Sequence, residues 1–300
     1  MLALIAPGQG SQTPGMLASW IADPSAHALL AQWSEAIDLD LIALGTTADA
    51  DDIRDTAHAQ PLIVAAGLLS ARELNADGKF SFVAGHSVGE ITAAAIAGVI
   101  SPLDALRLVR VRGLEMAKAA AASPSGMAAV LGGDRDVVLR AIADAGLVAA
   151  NDNGGGQIVA AGDLEALAAL APEGARVRPL QVAGAFHTHF MESAVAEFKR
   201  CAESIEATDS QVGVLSNRDG AVLHSGSEIL DRIVAQVANP VRWDLCMETM
   251  QSVGISGAIE VAPAGTLVGL LKRGVPTIES FALKSPEDLA AASDFAASKG

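Results

Sequence analysis

The stretch Gly85-His86-Ser87-Val88-Gly89 constrains this chain more than any other. Ahead of it runs Phe80-Ser81-Phe82-Val83-Ala84, short and apolar with Gly78 just before, which reads as a buried strand. Behind it, Glu90-Ile91-Thr92-Ala93-Ala94-Ala95-Ile96-Ala97 reads as a helix. Ser87 is therefore predicted at a sharp strand-to-helix turn. Such a turn presses backbone against backbone, and glycines on both sides of the serine remove the Cβ atoms that would collide. The turn lifts the hydroxyl clear of the sheet. It also aims the first helical amides at whatever the serine attacks, which favours a developing oxyanion. A chance serine in a Gly-rich turn is the competing reading, and the strand and helix on either side weigh against it.

A chain of 300 residues suits one large domain or two unequal ones. Hydrophobic residues make up 51% of it, enough for a sizeable core, and the many alanines predict helices packed through small side chains. The absence of tyrosine argues against base-stacking platforms, and a net charge of −15 argues further against nucleic acid. Cys201 and Cys246 are far apart, so neither a disulfide framework nor a zinc site is indicated. Met1-Leu2-Ala3-Leu4-Ile5-Ala6 lacks a basic leader and reads as a first buried strand rather than a signal peptide. No uncharged apolar run reaches membrane-spanning length. The expectation is a cytoplasmic monomer that binds neither membrane nor nucleic acid.

The first strand runs into Gly8-Gln9-Gly10-Ser11-Gln12. Phosphate binding is one reading of this loop, but it lacks the Lys-Ser/Thr of a P-loop and the third glycine of a dinucleotide fingerprint. The other is a loop at the carboxyl end of a central strand, where open α/β sheets build their sites. Helices are predicted around 25–36 and 59–75, with Pro61 in the first turn of the second, and from Pro102 to about 120. The third carries Arg107, Arg110, Arg112 and Lys118, whose pattern reads mostly as a solvated basic face. From Ser123-Pro124-Ser125-Gly126 the elements shorten: strands at 127–131, 147–150, 157–161 and 176–182, helices at 134–143 and 164–170. The order β-α-β-β-α-β is that of a ferredoxin-like unit. Residues 125–184 are thus expected to form a small domain inserted between the two parts, 1–124 and 185–300, of a larger one.

A serine on such a turn needs a base. Of the six histidines, His27, His58 and His224 have polar neighbours and read as surface. His86 abuts the serine, but a strand-end neighbour faces away from it, so a structural role is expected. His187 and His189 remain, in a Gly-rich loop, and residue type does not choose between them. An acid to orient the base cannot be picked out among so many carboxylates.

Six segments in order carry a resemblance: Ala6-Pro7-Gly8-Gln9-Gly10-Ser11-Gln12, Gly85-His86-Ser87-Val88-Gly89-Glu90, Arg112-Gly113, Gly184-Ala185-Phe186-His187, Ser216-Asn217-Arg218-Asp219-Gly220 and Asn239-Pro240-Val241-Arg242-Trp243. From end to end the chain resembles the malonyl-CoA:acyl carrier protein transacylases, most of all the actinobacterial form of fatty-acid synthesis. The resemblance implies an α/β-hydrolase-like core with the ferredoxin-like insertion. It implies Ser87 as nucleophile and selects His187 as general base through the Ala-Phe-His pattern. It implies a dyad, with the backbone carbonyl of Gln236 orienting the histidine, and an oxyanion hole from the N–H groups of Gln9 and Val88. Arg112 matches the residue that holds the free carboxylate of malonate, for which a planar guanidinium fork is suited. Phe186 is the candidate for crowding the malonyl C2, with plain packing as the alternative. The implied reaction is ping-pong from malonyl-CoA to the phosphopantetheine thiol of acyl carrier protein, with no metal or other cofactor. Since carrier proteins are acidic, docking calls for a local basic patch, with Arg107, Lys118, Lys272 and Arg273 as candidates. A serine thioesterase or esterase is the rival enzyme, with Arg112 as the discriminator; a non-catalytic carrier-protein-binding module would leave the constellation without a purpose. Fatty-acid and polyketide synthesis are not distinguished.

Overall fold

A computed structural model describes residues 1–75 and 79–299; Gly78, read above as the boundary of the strand before Ser87, lies outside them. The chain opens with β1 (Leu2–Ala6), buried at every position. Helices α1 (Pro24–Ile37), α2 (Leu41–Thr46) and α3 (Thr56–Leu74) follow, each begun by an aspartate whose side chain accepts from first-turn amides. The single turn and a half of α2 is too short for a periodic pattern and was not expected. Then come β2 (Phe82–Gly85), α4 (Gly89–Ile96) and α5 (Pro102–Ala122), the last capped by Ser101 with Pro102 in its first turn.

The start of α3 corrects the sequence reading. Asp55 accepts from the Ala57 N–H at 2.7 Å, so the helix begins at Thr56 and Pro61 lies inside it rather than in its first turn. Proline has no N–H, which leaves the Ala57 carbonyl, four residues back, without its helical donor. Arg110 of α5 fills that vacancy, its Nη1 donating to the Ala57 oxygen at 3.0 Å. Arg110 is therefore a half-buried tie between two helices and not part of a solvated face. Gly113 lets the same helices close up: a Cβ there would sit 3.0 Å from the Thr56 oxygen and 3.3 Å from the Ala57 Cα.

Residues 126–179 supply β3 (Gly126–Gly132), α6 (Arg135–Asp144), β4 (Val148–Asp152), β5 (Gln157–Gly162), α7 (Leu164–Ala169) and β6 (Ala175–Pro179). The chain then gives α8 (Glu192–Glu203), β7 (Gly213–Leu215), β8 (Val222–Leu223), α9 (Gly226–Gln236), β9 (Val241–Arg242), α10 (Trp243–Ser252), β10 (Gly257–Glu260), α11 (Thr266–Gly274), β11 (Glu279–Ala282) and α12 (Leu289–Lys299).

Two sheets result. The larger runs β11-β10-β1-β2-β7-β8, parallel except for β8. Its strands alternate between two buried faces: Leu2, Leu4 and Val83 join the core around α3, α4 and α5, while Ala3, Ile5 and Ala84 join Trp243, Met247 and Leu271 of α10 and α11. Burial on both faces explains why β1 reads as an unbroken apolar run. The smaller sheet runs β6-β3-β5-β4-β9. Its first four strands are antiparallel and carry α6 and α7 on one face through Val138, Ile142 and Leu167. The fifth, β9, comes from outside residues 125–184 and pairs parallel to β4, Asn151 opposite Val241. At two residues it is too short to show alternation, so it went unforeseen. Among the described residues no helix is long and apolar enough to cross a membrane.

Close packing of α3 on α5 positions Arg112, which makes it worth testing. Gly113→Ala should cost about 1–3 kcal/mol, the range for overpacking a tight contact. Urea denaturation measures it, and an unchanged midpoint would show that the two helices have slack.

Candidate active site

The carboxyl ends of β1, β2 and β7 meet at Ser87. Ser87 itself has φ +54°, a left-handed conformation unusual for a residue with a side chain. The chain can turn there only because its flanks are bare. A Cβ on Gly85 would lie 1.9 Å from the Gly89 carbonyl carbon, and one on Gly89 would lie 2.2 Å from the Ala6 oxygen. The His86 N–H donates to that same Ala6 oxygen at 3.0 Å, tying the turn to the end of β1. Gly8 repeats the device on the neighbouring loop, where a Cβ would fall 2.8 Å from the His86 oxygen.

Ser87 Oγ lies 2.8 Å from His187 Nε2, and His187 Nδ1 lies 2.9 Å from the backbone oxygen of Gln236. A carbonyl can only accept, so Nδ1 carries the proton and Nε2 turns its lone pair to the serine hydroxyl. His187 also has a positive φ, +62°, and is 3% exposed. Burial, reinforced by the nearby Arg112 charge, pushes its pKa down to about 3. The imidazole is thus neutral at physiological pH, the form a base requires. His189 is exposed on the short turn that follows and stays away from the serine.

Arg112 is 1% exposed. Its Nη2 donates to Ser87 Oγ at 3.2 Å and to Gln236 Oε1 at 3.1 Å, and its Nη1 donates to Gln60 Oε1 at 2.7 Å. All three acceptors are neutral, and Nε has no partner among the described residues. Burial pulls the guanidinium pKa down to about 10, partly offset by Glu90, so it remains charged.

The Ser87 N–H donates to Asn217 Oδ1 at 2.8 Å. The amides of Gln9 and Val88 donate to no group among the described residues. A cavity of about 220 Å³ opens over the serine, lined by Gln9, Gln60, His86, Ser87, Met116, Phe186 and His187, with Met127 and Val159 of the small sheet as its far wall. Phe186 is 5% exposed and lines the cavity while packing in the main core. His86 points to the small sheet, its Nε2 2.8 Å from Asn153 Oδ1, and its ring edge meets Trp243. Of the four basic residues considered for docking, Arg107 is paired with Asp104 and Lys118 with Glu115. Lys272 and Arg273 end α11, whose Thr266, Leu267 and Leu270 line the cavity.

The model of the acyl transferase domain matches residues 4–289. The chain belongs to the acyl transferase family. It is an acyltransferase. It is 53% identical over 296 residues to the malonyl CoA-acyl carrier protein transacylase of Mycobacterium tuberculosis strain H37Rv, covering 96% of this chain and 98% of that one. The crystal structure of MCAT from Mycobacterium tuberculosis superposes with a TM-score of 0.95 at 52% identity, over 98% of this chain and 99% of the other. A complex described as a type II PKS acyl-carrier protein with its malonyl-transacylase matches with a TM-score of 0.89 at 32% identity, over 98% and 99% of the two chains. The expected resemblance to the transacylases is borne out.

Three residues of this acyltransferase site had no role assigned from sequence. Gln60 sits mid-helix without a motif around it. Asn217 and Glu90 stand in quoted segments, but only the three-dimensional network shows what they hold. For Glu90 the sequence pointed the other way: an acidic residue opening an otherwise apolar helix reads as solvated, yet this one is 4% exposed.

The depressed pKa of His187 fixes an expected pH profile. The folded state refuses a proton that a free imidazole takes near pH 6.5, so the base should stay neutral as pH falls from 7 to about 5. The single-turnover rate of acyl transfer should be nearly flat over that interval. A titration with its midpoint near 6.5 would contradict the environment described for His187.

Proposed function

We propose that this acyltransferase moves a malonyl group from malonyl-CoA to the phosphopantetheine thiol of acyl carrier protein through a malonyl-serine intermediate. Ser87 Oγ attacks the thioester carbonyl while its proton passes to His187 Nε2. The N–H groups of Gln9 and Val88 stabilise the oxyanion. The C–S bond breaks, and the departing CoA sulfur takes the proton from His187. In the second half-reaction the pantetheine thiol gives its proton to His187 and attacks the ester. The bond from Oγ to the acyl carbon breaks, and the serine regains its proton. The Gln236 carbonyl keeps His187 in the required tautomer throughout. None of these steps calls for a metal or cofactor.

One observation carries the malonyl reading. Arg112 is a buried guanidinium 3.2 Å from Ser87 Oγ, and its contacts are neutral acceptors. A buried charge of this kind gains most from a carboxylate partner, and malonate has one to spare once its thioester end is at the serine. Binding that carboxylate means that Nη2 exchanges the serine oxygen for it. A simple esterase has no use for the arrangement. The carrier protein as acceptor is supported by the related complex of a malonyl-transacylase with an acyl-carrier protein. On this reading the larger sheet is an α/β-hydrolase-like core and residues 125–184 are a ferredoxin-like insertion. The protein acts in the cytoplasm and supplies chain extension in fatty-acid or polyketide synthesis.

Mass spectrometry after brief mixing with malonyl-CoA should find a malonyl adduct, which Ser87→Ala abolishes while the fold stays intact. An adduct surviving in that variant would end the assignment of the nucleophile. Arg112→Ala should weaken malonyl transfer by about 2–5 kcal/mol, as for one partner lost from a buried charge pair. Acetyl-CoA should lose far less, and Arg112→Lys should restore only part of the malonyl rate. Equal losses for both substrates would make the arginine structural and favour a thioesterase. Phe186→Ser should raise the rate with methylmalonyl-CoA relative to malonyl-CoA; an unchanged ratio would leave Phe186 as packing alone.

A further inference from the structure

Glu90 opens α4 three residues after Ser87, and its carboxylate is buried. It accepts from the Asn217 N–H at 2.6 Å and from Gln236 Nε2. Gln236 Nε2 also donates to Asn217 Oδ1 at 3.0 Å. Asn217 cannot turn to relieve any of this, because its Nδ2 donates to the Gly85 oxygen at 2.7 Å and its Oδ1 accepts from the Ser87 N–H at 2.8 Å. Both protons of the Gln236 amide are therefore taken on one side. Only its Oε1 is left for Arg112 Nη2, at 3.1 Å. Reversing the amide would set its NH₂ against the guanidinium and its oxygen against both Glu90 and Asn217 Oδ1. An ionised carboxylate, which only accepts, adds a full charge to what opposes the reversed amide.

We infer that Glu90 is a positioning residue for malonyl selectivity: by fixing the direction of the Gln236 side chain it holds Arg112 for the second carboxylate of the substrate. The inference rests on the malonyl-transfer reading of the site. It separates two roles of Gln236. Its backbone oxygen serves His187 whichever way the side chain points, so the base serves every acyl group alike. Its side-chain amide serves Arg112, and that service matters only to a substrate with a carboxylate to bind. Glu90 acts on the second role.

The ionisation of Glu90 offers an independent handle. Burial raises its pKa to about 8, opposed by the Asn217 N–H and then by Arg112. The charged groups that act on it are Arg112 of α5, Arg232 of α9 and Asp219 in the turn after β7, with the Cys246 thiol of α10 also close enough to feel its charge. A protonated Glu90 has an O–H to offer, so the reversed amide loses its charged opponent and is held off only by Arg112 and Asn217 Oδ1. Selectivity should therefore strengthen as pH rises through about 8, the folded-state value.

The experiment is the ratio of malonyl to acetyl acylation of Ser87, followed by mass spectrometry with malonyl-CoA and acetyl-CoA between pH 6.5 and 9. Titrations shared by the two substrates cancel in the ratio. In the unmodified protein the ratio should climb with pH. Glu90→Gln can give its oxygen to the Asn217 N–H and its NH₂ to a reversed Gln236. It should lower the ratio at pH 8.5 by about 10- to 100-fold, the worth of a hydrogen bond to a charged group, and should flatten the pH dependence. In a Gln236→Met background, where the carbonyl survives and the amide is gone, Glu90→Gln should lower the ratio no further. Equal losses for both substrates, or a full effect of Glu90→Gln on top of Gln236→Met, would overturn the inference and leave Glu90 as a structural acceptor. Should Glu90→Gln fail to fold, a ratio in the unmodified protein that is independent of pH overturns it equally. Absence of any malonyl adduct in the unmodified protein is a different failure, that of the malonyl reading itself.

Discussion

The backbone after β2 folds so tightly on itself and onto the end of β1 that neither Gly85, against Gly89, nor Gly89, against Ala6, has room for a Cβ, and the rest of the site depends on that approach. It allows α4 to begin within a few residues of the end of β2. It leaves Ser87 in a left-handed conformation with its own amide turned to Asn217 and the next amide, Val88, unengaged among the described residues. It also brings the Gly8 loop against the His86 carbonyl, so that a second free amide, Gln9, belongs to the same wall. A methyl group on Gly8 or Gly89 would push apart the ends of β1 and β2, and one on Gly85 would push α4 away from the end of β2. Strained conformations persist where the surroundings over-determine them. Here the parallel pairing of β1 with β2 and of β2 with β7, buried on both faces, supplies that rigidity.

Gln236 is the joint between the two halves of the chemistry. It ends α9, and at the end of a helix the last carbonyls lack partners within the helix. One such carbonyl faces His187 Nδ1 and also accepts from the Asn239 N–H at 3.1 Å, so the imidazole is oriented here without a carboxylate. The choice matters electrically. A carboxylate beside His187 would raise its pKa and would compete for Arg112. A carbonyl does neither, and Arg112 instead helps to hold the imidazole neutral. The small sheet closes the cavity from the opposite side. It is fastened there by β9, whose residues directly precede α10, and by His86 reaching Asn153.

What was legible in the sequence follows from how local each constraint is. Ser87 could be read because its turn demands glycines at fixed neighbours, and the small sheet because its short elements alternate in an order few folds share. His187 was chosen over His189 by resemblance alone, and no local rule anticipates where the two are placed: they lie two residues apart, one buried at 3% exposure beside Ser87 and the other exposed. The readings that failed were those in which a distant group decided the outcome. Pro61 fits a first helical turn on propensity alone, and it is tolerated further in because Arg110, 49 positions on by residue number, supplies the donor it lacks. Arg110 looked solvated for the same reason. Gln60 has nothing in its neighbours to mark it, and the segment around Asn217 marks a resemblance but no role; the hydrogen bonds of both run to residues far along the chain.

The placement of Glu90 relative to Arg112 carries the reasoning one step further. Above about pH 8, where Glu90 is ionised, these are buried opposite charges, yet they make no direct ion pair among the described residues; one amide, that of Gln236, stands between them. Direct contact would satisfy both charges, and a substrate carboxylate would then have to displace a partner already desolvated and bound. Removing the carboxylate altogether would leave a buried guanidinium with nothing to balance it, at a cost of several kcal/mol. The intervening amide is a compromise between these extremes. Across that amide Glu90 still favours the charged form of Arg112, while the direct contacts of the guanidinium are neutral and its Nε has no partner among the described residues. On the malonyl reading, the protein accepts an incompletely solvated charge in its resting state so that the substrate supplies the missing carboxylate, and the selectivity of the site has its origin in that deficit.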